Sequence, residues 1–169
     1  PATSLMKEGL SEADVLSVLG LDSSIDIKSF NPFAAEHVGT QRALDFEKAS
    51  SEMFTTINTI SEAIIGAEQS SGLISPHDVF ARAMSAVAGK IDEIAIANVA
   101  NQTTNKLDLS DIAMIDSITD ITVGHFSHQV HIANIDAIKS SMSMSIRNLN
   151  KQIREITDFH SQDAKDILQ

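Results

Sequence analysis

Three long stretches of this chain carry an apolar side chain every three or four residues, and that spacing constrains the fold more than any other feature. From Thr40 to about Gln69 the series is Phe46, Ala49, Met53, Ile57, Ile60, Ile64 and Ala67. After Ser75-Pro76 it is Phe80, Met84, Val87, Ile91, Ile94 and Val99, and after Ser127 it is Ile135, Ile138, Met142, Ile146, Leu149, Ile153 and Ile156. At ~100° of turn per residue each series winds into a single stripe along one face of a helix. Helices of about 25–30 residues are about 40 Å long, and a stripe of that length is buried only by another helix lying beside it. The expectation is an all-α fold: an antiparallel helix bundle of three long helices plus short N-terminal and connecting helices. Strand-like alternation never lasts more than a few residues.

Boundary signals divide the rest. Ala2 to Glu8 predicts a short helix stopped by Gly9, and Ser11 with Asp14 three residues on reads as the cap of a second one ending at Gly20. Asp22 to Asn31 reads as a loop that tucks Ile25 and Ile27 over the core. Asn31-Pro32 predicts a further short helix, Asn31 capping and Pro32 at its first position, broken by Gly39. Ser70-Ser71-Gly72 is a turn, and Asn101 to Leu109 is polar and loop-like. Asp108 or Ser110 caps a shorter helix carrying Ile112, Ile115, Ile118 and Ile121, ending near Gly124, that caps or completes the bundle. Within it, Ile118-Thr119-Asp120-Ile121-Thr122-Val123 is rich in β-branched residues, so tertiary packing has to override a mediocre helix propensity. Residues 1–169 thus read as one helical domain, with a short-helix cap over 1–39 and the long-helix bundle over 40–169. The opening Pro1-Ala2-Thr3 has no initiator Met and no basic segment followed by an apolar one, so the expectation is a piece of a longer protein with no signal peptide of its own.

Composition excludes several function classes. With 23 acidic against 12 basic residues the net charge is −11, which disfavours nucleic acid and anionic membrane as partners. No apolar run approaches the ~18–20 residues that span a bilayer. Arg147, Lys151 and Arg154 form the one basic cluster and read as a solvated helix face. With Cys 0 there are neither disulfides nor thiolate metal sites, and with Trp 0 and Tyr 0 there is little material for stacking sugars or bases.

Chemistry-bearing patterns are few. His125, His128 and His131 stand at i, i+3 and i+6, each about 60° further round a helix than the last. Neighbouring pairs have the spacing to chelate zinc, nickel or copper, whereas all three reach one ion only if the helix starts inside the motif. The alternative is three polar residues at a helix entry. Asp22-Ser23-Ser24-Ile25-Asp26 offers oxygens for a weak calcium site but lacks the calcium-loop signature, and reads first as turn chemistry. Met142 and Met144 are read as packing rather than as a copper(I) pair. Glu36-His37 and Glu47, Glu52, Glu62 and Glu68 never form the Glu-x-x-His pair of di-iron bundles. Phosphate loops, nucleophile elbows and His-Glu-x-x-His are all missing from the sequence, so no catalytic residues and no cofactor are expected beyond a weak divalent metal.

The first 65 residues carry a likeness. Pro1-Ala2-Thr3-Ser4-Leu5-Met6, Gly9-Leu10-Ser11-Glu12-Ala13, Leu19-Gly20-Leu21, Ile25-Asp26-Ile27 and Phe30-Asn31-Pro32-Phe33-Ala34-Ala35 together resemble a helical module of large proteobacterial secreted and surface proteins. That module recurs beside cadherin-like, immunoglobulin-like or RTX calcium-repeat regions, and Asn31 stands here where Asp is usual. The resemblance implies a secreted or cell-surface setting and a structural or adhesive role. Its partners would be the neighbouring domains of the parent chain, or a protein or cell surface. The expectation is a non-enzymatic module. The alternative is a metal- or ligand-binding module using the His125, His128 and His131 region or the bundle interior.

Overall fold

The computed structural model describes residues 2–68, 74–126 and 135–168. Among them the chain forms α1 (Ala2–Lys7), α2 (Glu12–Leu19), α3 (Gln41–Ala67), α4 (Pro76–Asn101), α5 (Ile112–Phe126), α6 (Ile135–Glu155) and α7 (Gln162–Leu168), and no strand. The fold is all-α, as the stripes require. Side-chain caps open three of the helices, the first at the Ser11 the sequence singles out. Ser11 accepts the Asp14 N–H, Thr40 that of Ala43 and Ser75 that of Asp78, each satisfying a donor the helix itself leaves open. Gly20 closes α2 in the left-handed region at φ 69°, its N–H turned back to the helix carbonyls.

Helix α3 packs on α4 and α6, and α5 packs on the same two, so four helices close into a ring. Polar contacts give the directions. Residues 52 and 56 of α3 meet 154 and 150 of α6, and residues 116 and 120 of α5 meet 143 and 139, so α6 runs antiparallel to both. Met53, Ile57, Ile60 and Ile64 of α3, Val87 and Ile91 of α4, Ile115 and Ile118 of α5, and Ile146 of α6 fill the interior. Burial of each of the larger side chains contributes about 1.5–3 kcal/mol. Helices α1 and α2 lie against α4, with Leu5, Val15 and Val18 turned into the same core. Ile25 and Ile27 tuck beneath them as expected, the Ile27 N–H donating to Glu12 Oε1 at 2.6 Å.

Four sequence expectations need correction. Asn31–Gly39 is a run of turns rather than a helix: Asn31 Oδ1 takes the Phe33 N–H at 3.0 Å, one helical turn forms from Ala34 to Val38, and Gly39 at φ 78° ends it. With Phe33 63% and Val38 46% exposed, no apolar face is buried there to offset helix nucleation. Val99 is 81% exposed, because the core face of α4 steps from Ile91 to Ala95 and Val99 lies about 80° round from Ile91. Ile121 likewise stands outside the stripe at 46% exposure. Neither Asp108 nor Ser110 caps α5. Asp111 does, its Oδ1 taking the Ala113 N–H at 3.0 Å, since the other two turn to Arg154. The β-branched run is helical throughout, with Ile118, Thr119 and Thr122 buried and both threonine hydroxyls bonded back to carbonyls four residues earlier. The turn expected at Ser70-Ser71-Gly72 and the helix start expected at Ser127 lie outside the described residues.

Candidate functional site

The end of the bundle where α3 begins and α6 finishes holds a half-open cleft of about 520 Å³. Its apolar wall is Leu19, Leu21, Met53, Leu107 and Leu109, and its charged side chains are Asp45, Lys48, Glu52, Lys106, Asp108 and Arg154. Three segments meet here because the α4–α5 loop folds back over α2. The Leu107 N–H donates to Val18 O at 2.9 Å, and the Lys106 side chain lies over Gly20. A Cβ at position 20 would stand 2.6 Å from Lys106 Nζ and 2.9 Å from Cδ and Cε, so glycine serves both the left-handed backbone and the crossing lysine.

Arg154 organises the charges. Its Nε and Nη2 donate to the two Glu52 oxygens at 2.9 and 2.8 Å, Nη2 also meets Asp108 Oδ1 at 2.8 Å, and Nη1 donates to Ser110 Oγ at 2.9 Å. The fork-to-fork geometry suits guanidinium and carboxylate alone. The Glu52 side chain is 11% exposed and that of Arg154 40%, so the acid is buried and the base reaches to the rim. The Glu52 hydrogen bonds raise the Arg154 pKa despite its partial burial. Burial opposes ionisation of Asp108, but hydrogen bonds from Ser110 and Arg154 outweigh it and hold its carboxyl below the usual range. Lys48 Nζ donates at 2.7 Å to the Arg154 carbonyl, near the negative end of α6. One turn deeper, Asn150 is fully buried, and its Nδ2 donates to Thr56 Oγ1 at 2.9 Å and Leu109 O at 2.6 Å. Such an arrangement ties α3, the α4–α5 loop and α6 together, and it turns the strongest donors and acceptors of the cleft toward one another.

The other candidates are dispersed. His125 is exposed in the last turn of α5, its ring edge-on to Phe126 at 5.1 Å, while His128 and His131 lie outside the described residues. Asp22 Oδ1 takes the N–H and hydroxyl of Ser24, and Asp26 takes the Lys28 N–H and the Ser29 hydroxyl. Those hydrogen bonds, the hydroxyl first in each case, lower both carboxyl pKa values and make the segment a pair of turns. Met142 is buried and Met144 is 50% exposed, so the two diverge. The His37 ring lies 4.7 Å from that of Phe30. Burial pushes the Glu47 carboxyl up, with His160 opposing and Asp158 adding to the shift. Among the described residues no three His, Asp or Glu side chains are grouped to hold a metal ion, and no helix is long and apolar enough to cross a membrane.

The clamp takes Arg154 out of the solvated face expected for Arg147, Lys151 and Arg154, while Lys151 is exposed. Its signal in the sequence is slight: Glu52 beside Met53 and Arg154 beside Ile153 each flank an apolar stripe, but 102 residues separate them. In comparisons with protein-family models, curated proteins and solved structures, none matches the chain.

Proposed function

We propose that the chain is a non-catalytic helical module of a large bacterial surface or secreted protein, acting as a spacer or adhesion element that holds neighbouring domains apart. The observation that carries this reading is the Arg154 clamp. This charged corner fastens three segments to one another, which is what a scaffold needs at the end of a bundle. The resemblance over Pro1–Ala35 supplies the exterior setting and the neighbouring domains.

Thermal unfolding in EDTA, and then with calcium, zinc, nickel or copper added singly, tests it. A scaffold of this kind melts at one temperature in all five. A metal at 100 times its dissociation constant adds about 2.7 kcal/mol, or about 5–10 °C for a chain of this size. A rise of that order with zinc, nickel or copper that disappears in His128→Ala would replace the structural reading with a metal-binding module at the histidines.

A further inference from the structure

We propose that the groove between α6 and α7 is a docking site for a basic amphipathic helix of a partner protein. The inference extends the structural reading by naming the partner's chemistry. A chain with an intact clamp that ignores such a helix keeps the first reading and loses this one.

After Glu155 the chain turns and α7 packs back on α6. Ile153, Ile156 and Ala164, with Phe159 and Ile167 against them, form a small apolar cluster of their own beside the main core. This unit leaves a groove of about 490 Å³. Half-buried Leu149 and Ile167 present its apolar surface over the buried Ile156 and Ala164, and Gln152, Thr157 and Ser161 line it beside them. Its rim carries Glu155, Asp163 and Asp166, and no Lys or Arg lines it. Asp166 accepts from Gln162 Nε2 at 2.8 Å within α7, while among the described residues the carboxylates of Glu155 and Asp163 have neither hydrogen bond nor ion pair.

Shape and charge select the occupant together. An apolar floor between two helices receives side chains spaced three and four apart on a third helix. An acidic or neutral helix would strip water from three carboxylates without returning a partner, and like charges at close range repel. Lysines or arginines flanking the apolar face pair with the rim while their stems cover its apolar edge.

The test uses the full chain and three labelled peptides: leucines at helical spacing with lysines between them, the same with glutamates, and a glycine/lysine peptide of equal charge. The leucine/lysine peptide binds, and its amide NMR shifts fall on residues 149–167. Asp163→Lys with Asp166→Lys weakens it about tenfold, and Asp163→Asn with Asp166→Asn by a smaller factor. Glu62→Lys with Asp92→Lys, an equal change of charge on α3 and α4, leaves it within about twofold. The Ala164 amide resonance reports that α7 remains docked in each variant. No binding, equal binding of the glycine/lysine peptide, shifts spread over the whole chain, or equal loss in the two lysine variants would each overturn the proposal.

Discussion

Replacing Arg154 with Met keeps most of the side-chain volume and removes every clamp bond at once. Glu52, with an 11% exposed side chain, then holds a carboxylate with its bidentate partner gone. Stranding one member of a fully buried pair costs about 3–5 kcal/mol. The Arg154 side chain is 40% exposed, and water reaching the vacated rim screens part of that penalty, so about 2–3 kcal/mol is expected here. For a chain of this length that lowers Tm by about 4–12 °C. A urea series at pH 7 should show an earlier midpoint with an unchanged slope. Adding Glu52→Gln to Arg154→Met removes the stranded charge, so the double variant should be more stable than Arg154→Met alone. A loss under about 0.5 kcal/mol, or a double variant no better than the single one, would show that the clamp is an exposed pair of little consequence.

Three further outcomes are expected. Gly20→Ala and Gly39→Ala, at backbone φ of 69° and 78°, should each cost about 1–2 kcal/mol in urea denaturation, since the exposed end of Lys106 can swing clear of a Cβ at position 20 and the left-handed backbone sets the cost at both. Ile60→Ala, at a fully buried position, should cost about 2–5 kcal/mol while the far-UV circular dichroism of the folded state stays helical. Asp108, with a lowered folded pKa, contributes stability present above its unfolded value and lost as pH falls through the folded one, so Asp108→Asn should flatten the wild-type acid transition below about pH 4 in a melting series.

What could be read in advance was whatever depends on near neighbours in sequence. The stripes on α3 and α6, the cap at Ser11 and the stop at Gly20 each involve residues within a few turns of one another, and local sequence reports such relations directly. Val99 and Ile121 were misplaced because a regular step of three or four admits two adjacent faces, and only the neighbouring helix decides which is covered. Asn31-Pro32 has sound capping chemistry, yet caps assist a helix whose apolar face is buried and do not create one where Phe33 and Val38 point outward. The clamp was illegible for a different reason. Glu52 and Arg154 look like any helical surface charges until the ring closes and brings α3 beside α6. Asp108 and Ser110 have the local chemistry of a helix cap, but Arg154, a long-range charged partner, holds them instead.

The interior polar groups explain why the ring closes in one register. Ser61, Thr119 and Thr122 bond to carbonyls of their own helices, so they are satisfied wherever those helices slide. Arg154 and Asn150 are different. They stand four residues apart on α6 and reach Glu52 and Thr56, four residues apart on α3, as two rungs between antiparallel helices. Sliding α6 by one helical turn one way would set the Asn150 carboxamide against Ile60, and the other way would set Arg154 against Lys48; either slip separates the Arg154 fork from its bidentate seat on Glu52. The cost is about 1–3 kcal/mol for an amide that loses its partners and more for a stranded charge. Aliphatic stripes alone resist such a slip weakly, since one isoleucine fills another's place. The apolar stripes therefore determine that these helices assemble, and the rungs at the clamped end determine how they align.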